Sequence, residues 1–171
     1  MAEAEWPVAN LARVIAMELW GKQPPPQHFQ APVSEKNFQI WVSEELETWL
    51  PAAYPDRFTV RAEPKGGKVF PIKTFGTSFW PDVSVESSRG DKLVAVELKC
   101  LKKIGLPNSI SQALGQALMY RQVYIQSLVV FVPLESLPLP PPPFFENVAE
   151  HDVEVTIVGE IHTSGAGPGA R

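Results

Sequence analysis

The chain has 171 residues, of which 44% are apolar and 20% are charged, and its formal net charge is −4. This composition excludes an intrinsically disordered chain and fits one globular domain with a sizeable core. No apolar run is long enough to cross a membrane, and the acidic N-terminus does not resemble a signal peptide. The single cysteine, Cys100, excludes an internal disulfide and suits a reducing compartment, so we expect a cytoplasmic protein.

The first segment, residues 1–33, is predicted to contain an amphipathic helix over residues 8–20 and a proline-rich linker. The apolar residues at helical spacing in this helix are Val8, Leu11, Ile15 and Leu19.

Residues 34–50 are predicted to form a second helix, with Ser34 as its N-cap. Its inward stripe consists of Phe38, Val42, Leu46 and Trp49. Glu35 falls on this stripe and Glu45 lies near the edge of the stripe. A glutamate in the first turn is also favourable to the helix dipole, so Glu35 has a purely structural explanation as well.

A β-hairpin is predicted from two apolar-rich runs, residues 79–86 and 92–98, after an earlier strand near residues 57–62. We expect a two-residue loop formed by Arg89 and Gly90. The resulting register pairs Ser88 with Asp91, Val85 with Val94 and Asp82 with Glu97.

Asp82 and Glu97 would share one face of the sheet, because directly opposed residues do so. Lys99 shares that face, since it lies two residues from Glu97, while Leu98 points to the core. Two carboxylates and a lysine at one sheet edge suit metal-assisted hydrolysis of a phosphodiester. The lysine can stabilise the developing negative charge. The plainer interpretation is a solvated hairpin whose polar ends happen to face each other.

Pro81-Asp82 and Glu97-Leu98-Lys99, with fourteen residues between Asp82 and Glu97, resemble the motif of the PD-(D/E)xK nuclease superfamily. The resemblance implies that Asp82 and Glu97 bind Mg²⁺ or Mn²⁺ and that the Leu98 carbonyl is a further ligand. It also implies that Lys99 is the catalytic lysine that assists the attacking water.

The resemblance covers residues 34–132 and implies the restriction-endonuclease-like fold. This is an α/β fold with a central mixed sheet flanked by helices, in the core order αβββαβ. The superfamily often carries an acidic residue on the first core helix, pointing at the metal. Glu35 is our choice for this catalytic and metal-binding role, and Glu45 is the alternative.

Residues 109–126 are predicted to form the helix after the hairpin. Gln112, Gln116, Tyr120 and Tyr124 recur at spacing four and form one ridge. The residues expected on its core face are Leu114, Leu118 and Ile125. The run from Gln116 to Tyr120 resembles the QxxxY motif of the RecB-like and lambda-exonuclease-like branches, which implies contact with the site or with DNA. The same spacing is also what ordinary helical packing produces.

Lys102 and Lys103 follow the hairpin closely and could form a positive rim that holds phosphates despite the net charge of −4. With Gln112, Gln116 and Tyr120 they make up the predicted substrate-binding side. Solvation of a loop is the plainer interpretation of these two lysines.

A strand over residues 128–132 is expected to complete the core. Residues 133–162 are predicted to contain a polyproline strap, with five prolines in positions 138–143, and an outer strand at 153–158. The glycine-rich residues 163–171 are predicted to be flexible.

These features predict a metal-dependent nuclease that acts on nucleic acid, with DNA favoured over RNA and no membrane partner. The alternative is a catalytically inactive module of the same fold that binds or assembles with a protein or nucleic-acid partner. A homodimer or larger complex would suit double-strand cutting by so small a protein.

Overall fold

The structure is a computed structural model that describes residues 10–159 except 31, 63–68, 70, 75 and 138–150. Three α-helices lie in this part of the chain: α1 (Leu11–Leu19), α2 (Glu35–Ala53) and α3 (Leu106–Tyr120). The described strands are β1 (Phe58–Ala62), β2 (Ile72–Thr74), β3 (Thr77–Phe79), β4 (Val83–Ser87), β5 (Lys92–Leu101), β6 (Gln126–Pro133) and β7 (Val153–Ile157). A short 3₁₀ helix occupies Pro26–Phe29 within the predicted linker.

Five of these strands form one mixed sheet in the order β1-β4-β5-β6-β7. The neighbours β1, β4 and β5 are antiparallel, whereas β6 is parallel to β5 and β7 is parallel to β6. Strands β2 and β3 form a separate antiparallel hairpin. The predicted α/β class, with a mixed sheet flanked by helices, is confirmed. Leaving the separate hairpin aside, the elements from α2 to β6 follow the order αβββαβ.

The side chains of β5 alternate between two cores on opposite faces of the sheet. Val94, Val96 and Leu98 pack in the cluster that also contains the buried residues of α1 and α2. Ala95 and Leu101 point the other way, into the clusters that α3 covers. Alternation therefore places Glu97 and Lys99 on the α3 face of the sheet, and Leu98 lies in the core as predicted.

The two ends of the described chain are anchored on the main sheet. Leu11, Ile15 and Leu19 of α1 are fully buried and share a core cluster with α2. The predicted outer strand is confirmed as β7, which pairs with β6 at the edge of the sheet. The polyproline positions 138–143 and the tail 163–171 lie outside the described residues. No helix in the described part of the chain is both long and apolar enough to span a membrane.

The predicted hairpin register is confirmed at Val85 and Val94, but the predicted two-residue loop is wrong. The Ser87 N–H donates to the Asp91 carbonyl, so three residues form the loop, and Gly90 has a φ of +89°. A bulge at the next step leaves Leu93 without a ladder partner and shifts the register by one residue. The longer loop and the bulge cancel, so the ladder keeps the predicted register from Val85 and Val94 to Val83 and Val96, where it ends, and the predicted pair of Asp82 and Glu97 is not formed within it.

The first predicted hairpin strand, residues 79–86, is interrupted in the structure. β3 ends at Phe79 and β4 begins at Val83, so Trp80, Pro81 and Asp82 form a connection between two strands. Pro81 explains the interruption, because it has no N–H to donate to a ladder. Asp82 therefore lies directly before β4 and outside its ladder with β5.

The predicted core face of α3 is correct only for Leu114, which is partly buried against a core cluster, and the predicted bounds are wrong. The helix begins at Leu106, with Pro107 in its first turn, and ends at Tyr120 rather than at residue 126. Leu118 and Ile125 are 46% and 45% exposed. The buried face consists instead of Leu106, Ile110, Ala113, Ala117 and Tyr120. Two alanines at the centre of this face allow the helix to approach the sheet closely, whereas a hydrophobic pattern favours the larger leucines.

The orientation of α3 can be tested with two substitutions. Ala113→Leu should lower the free energy of unfolding by about 1–3 kcal/mol, because added methyl groups overpack a fully buried position. Leu118→Ala should change it by less than about 0.5 kcal/mol, because the side chain is half exposed and alanine favours helix. Urea unfolding measures both. A larger loss for Leu118→Ala than for Ala113→Leu would restore the orientation predicted from the sequence.

Candidate active site at the open edge of β5

The candidate site forms where β5 extends beyond its neighbour β4. The ladder between these strands ends at the pair Val83 and Val96, whereas β5 continues to Leu101. Carboxylate groups take the place of a partner strand along this open edge. The Leu98 N–H donates to Asp82 Oδ2 at 2.7 Å, and the Cys100 N–H donates to Glu35 Oε1 at 3.2 Å. Asp82 and Glu35 are thereby bound to Leu98 and Cys100, two residues of β5 whose N–H groups point to the open edge.

The carbonyl of Leu98 faces the same open edge. A strand residue directs its N–H and C=O to the same side of the strand. The N–H of Leu98 points to Asp82, and the Val96 carbonyl on that side accepts the Asp82 N–H at 2.9 Å. The Leu98 oxygen therefore lies on the side of Asp82, consistent with its predicted place among the ligands.

Gln39 is a site residue that the sequence analysis missed. Its Nε2 donates to Asp82 Oδ1, so both oxygens of Asp82 are held by protein donors. Gln39 lies four residues after Glu35 on α2 and therefore on the same helix face. That spacing was the available signal, but a polar residue beside the apolar stripe is common on any surface helix.

Glu97 is a nearly buried carboxylate with a perturbed affinity for protons. Its side chain points to α3, where the Tyr120 hydroxyl lies 2.7 Å from Glu97 Oε2. Burial and, after it, the negative charge of Asp82 raise the pKa of Glu97 to about 8, against the opposing effects of Tyr120 and Lys99. Burial and the Glu97 charge also raise the pKa of Tyr120. The positive charge of Lys99 thus offsets only part of the cost of ionising Glu97.

Tyr120 also connects Glu97 to the backbone of the β3–β4 connection. Its hydroxyl donates to the Trp80 carbonyl oxygen at 2.9 Å as well as to Glu97. A hydroxyl has one proton and can satisfy two acceptors only in part. When Glu97 is protonated, its own proton can be donated to Tyr120, and the Tyr120 proton can be donated fully to Trp80. The raised pKa of Glu97 fits this arrangement.

The structure distinguishes between Glu35 and Glu45, the two glutamates of α2 that the sequence offered as the helix acid of the site. Glu35 Oε1 lies 3.5 Å from Lys99 Nζ, so Glu35 reaches the open edge of β5. Glu45 instead forms an ion pair with Lys22 at 2.7 Å, next to Glu18. Of the two, Glu35 is the acid that lies with Asp82, Glu97 and Lys99.

The predicted substrate-side residues lie at different depths. Gln116 hydrogen-bonds to Tyr120, and its amide oxygen is buried without a hydrogen-bond partner among the described residues. Gln112 is exposed one turn earlier on α3, and Lys102 and Lys103 are exposed just beyond the end of β5. Only Gln116 and Tyr120 of this group contact the acidic site directly or through one residue.

The Cys100 thiol gives no sign of reactivity. It is half buried at the end of β5, and burial raises its pKa to about 12. A thiol with so high a pKa is almost entirely protonated at neutral pH and is a poor nucleophile. The interpretation of Cys100 as a structural residue of the strand end is therefore the better one.

Only a few carboxylates at the open edge are available as ligands for a hard divalent cation. Among the described residues, no three His, Cys, Asp or Glu side chains gather closely enough to form a metal-binding group. Asp82 and Glu97 interact strongly, whereas Glu35 is paired with Lys99. Two carboxylates with a backbone carbonyl still match the oxygen ligands of Mg²⁺, which keeps several waters. A cation would also relieve the repulsion between Asp82 and Glu97.

Comparisons of the chain with protein-family models, with curated proteins and with solved structures find no match. The function of the site therefore has to be inferred from its own residues and geometry.

The pKa of Glu97 predicts a pH-dependent stability in the absence of metal. Between about pH 4.5 and pH 8 the folded chain holds a proton that the unfolded chain has released. The free energy of unfolding should therefore fall as the pH rises through this window. Glu97→Gln should flatten this fall, because a neutral amide of the same shape cannot titrate. Urea unfolding in EDTA at pH 5 to 8 measures both, and equal slopes in the two proteins would contradict the assignment.

Proposed function

We propose that the chain is a metal-dependent nuclease that hydrolyses phosphodiester bonds of DNA, or of RNA, and that it has the restriction-endonuclease-like fold. The observation that carries the proposal is the meeting of Asp82, Glu97 and Lys99 at the open edge of β5. These are the residues that the sequence motif singles out, and their proximity at one strand edge supports the proposed chemistry.

The topology supports the fold assignment. Three antiparallel strands, β1, β4 and β5, are followed by α3 and by β6, which returns parallel to β5. With α2 before them, these elements reproduce the αβββαβ order that the resemblance implies. The acids lie at the place where β4 and β5 diverge.

Asp82, Glu97 and the Leu98 carbonyl would hold Mg²⁺ or Mn²⁺, with Glu35 reaching it through a water or by exchange from Lys99. When bound, the cation polarises the phosphoryl group and lowers the pKa of a bound water. Gln39 and the Leu98 N–H keep the Asp82 carboxylate in one orientation. Tyr120 does the same for Glu97 from the other side.

Lys99 has the position and the charge to stabilise the anionic transition state. It follows Glu97 on the same strand face, and its side chain is 21% exposed, so its ammonium group can reach both the acids and a substrate. Glu35 holds that ammonium group toward the edge of β5. Gln116, Tyr120, Lys102 and Lys103 would lie on the substrate side, with the two lysines giving phosphates a local positive charge.

A second candidate function is the inactive binding module. It is favoured by the absence of a three-acid group in the described part of the chain and by the pairing of Lys99 with Glu35. In that case the carboxylates would serve only to satisfy the open edge of β5. The two candidates differ in their response to divalent cations and in turnover.

Lys99→Ala tests turnover. With Mg²⁺ or Mn²⁺ at saturation, we expect cleavage of single-stranded and duplex DNA and RNA to fall by about 100-fold or more. The negative charge of the transition state would lose the Lys99 ammonium group that stabilises it. Metal binding should persist, since lysine is not a ligand. Arg13→Ala, which removes a cation from the exposed side of α1, is the matched control and should cleave like the wild type. Equal rates for Lys99→Ala and wild type would refute the role of Lys99.

Asp82→Asn tests the metal. A cation bound only by the folded state raises the melting temperature, and this variant should lose that rise. Asparagine can still accept the Leu98 N–H, so the substitution removes charge and keeps the contact with the strand edge. Thermal unfolding with and without Mn²⁺ measures the effect. An unchanged response to Mn²⁺ in Asp82→Asn would show that the cation binds elsewhere and would favour the inactive module.

Glu35→Gln and Glu45→Gln form a matched pair on one helix. Glu35→Gln should reduce cleavage by about tenfold or more, as loss of a supporting group near a metal commonly does. Glu45→Gln should leave cleavage within about twofold of the wild type, because Glu45 pairs with Lys22 away from the site. Steady-state rates and melting temperatures of both variants are the measurements. The opposite ranking would move the helix acid to Glu45.

A further inference from the structure

Trp80 is a large aromatic side chain that stands half exposed beside the candidate site. Its exposed fraction is 50%, although its neighbours Phe79 and Pro81 are partly or fully buried. It precedes Asp82 by two residues, so their Cα atoms are at most about 7 Å apart. Neither the motif nor the proposed chemistry accounts for an indole ring at this position.

The backbone of Trp80 is held in place from inside the site. The Tyr120 hydroxyl donates to its carbonyl oxygen at 2.9 Å, and the same hydroxyl contacts Glu97. On one side, the β2–β3 hairpin packs through Ile72 and Phe79 against Tyr120 and Tyr124. On the other side, Pro81 restricts the chain. The ring is therefore presented to solvent from a fixed backbone.

Exposed lysines lie on the β2–β3 hairpin that precedes Trp80 and directly after β5, the strand whose open edge carries the candidate site. Lys73 is exposed on β2, and Lys102 and Lys103 are exposed beyond the end of β5. A fixed aromatic face among lysines is the combination with which proteins bind single-stranded nucleic acid, where bases stack on the ring and phosphates meet the cations. Because the chain as a whole has a net charge of −4, phosphates would be attracted by these local lysines and not by the overall charge.

We propose that Trp80 is a stacking platform for an unpaired base next to the phosphate that the site receives, so that the substrate class is single-stranded or frayed nucleic acid. A paired base inside a duplex is already stacked on its neighbours and cannot offer a face to the indole ring. Trp80 then determines specificity and takes no part in the bond cleavage. This inference rests on the proposed function, because it places the reacting phosphate at Asp82 and Glu97.

The test is binding of fluorescein-labelled oligonucleotides of about 12 nucleotides, within the site sizes of single-strand binders. DNA and RNA single strands and the corresponding duplex are compared by anisotropy at low salt in EDTA, where no cleavage occurs. Trp80→Ala should weaken single-strand binding on the order of tenfold or more, and Trp80→Phe should retain most of the affinity. Trp20→Ala is the matched control, because Trp20 is 54% exposed at the end of α1 and its neighbour Gly21 bonds to β7.

The outcomes separate this inference from the proposed function. Unchanged binding by Trp80→Ala, equal losses in Trp80→Ala and Trp20→Ala, or a preference for the duplex would overturn the stacking role. So would the absence of binding to any of these oligonucleotides. Cleavage with Mg²⁺ that does not depend on Trp80 would retain the nuclease and reject the stacking. Trp80-dependent binding to a single strand without any cleavage would retain the stacking platform and reject the nuclease. Melting temperatures of all variants exclude loss of the fold.

Discussion

The open edge of β5 is the constraint on which the site depends. A strand that outruns its neighbour presents backbone groups that need hydrogen-bond partners. Here Asp82 accepts the Leu98 N–H at 2.7 Å, and Glu35 accepts the Cys100 N–H. These two bonds draw one acid from the β3–β4 connection and one from α2 to a single strand. Glu97 lies on that strand itself, so its nearly buried carboxylate is brought close enough to Asp82 and Glu35 to be affected by their charges.

This arrangement has an electrostatic cost that a cation or a proton can remove. Glu97 is only 5% exposed, and the nearby charge of Asp82 opposes its ionisation. Lys99 offsets part of that charge, but its ammonium group is shared with Glu35 at 3.5 Å. In the metal-free chain, a proton on Glu97 removes the unfavourable negative charge of this buried carboxylate. A divalent cation would compete with that proton, so metal binding should release it and strengthen as the pH rises.

The sequence predicted the register of the strands that carry the candidate site better than it predicted the loop and the helix beside them. The register predicted at Val85 and Val94 is correct although the loop prediction was wrong, because a bulge at Leu93 offsets one extra loop residue, and neither feature alters the hydrophobic pattern. The buried face of α3 was not predicted because its alanines contribute less to a hydrophobic pattern than the leucines on the exposed side do. Gln39 and Trp80 could not be foreseen, since their contacts depend on how α2 and the β3–β4 connection meet the sheet.

The central claim is that the open edge of β5 holds a divalent cation. The most direct measurement is anomalous X-ray scattering from crystals of the metal-free protein soaked in Mn²⁺ at about pH 8, where Glu97 loses its proton readily. We expect one manganese peak in contact with oxygens of Asp82, Glu97 and Leu98, which disappears in Asp82→Asn. A map with no manganese at this edge, and with Lys99 still paired to Glu35, would contradict it.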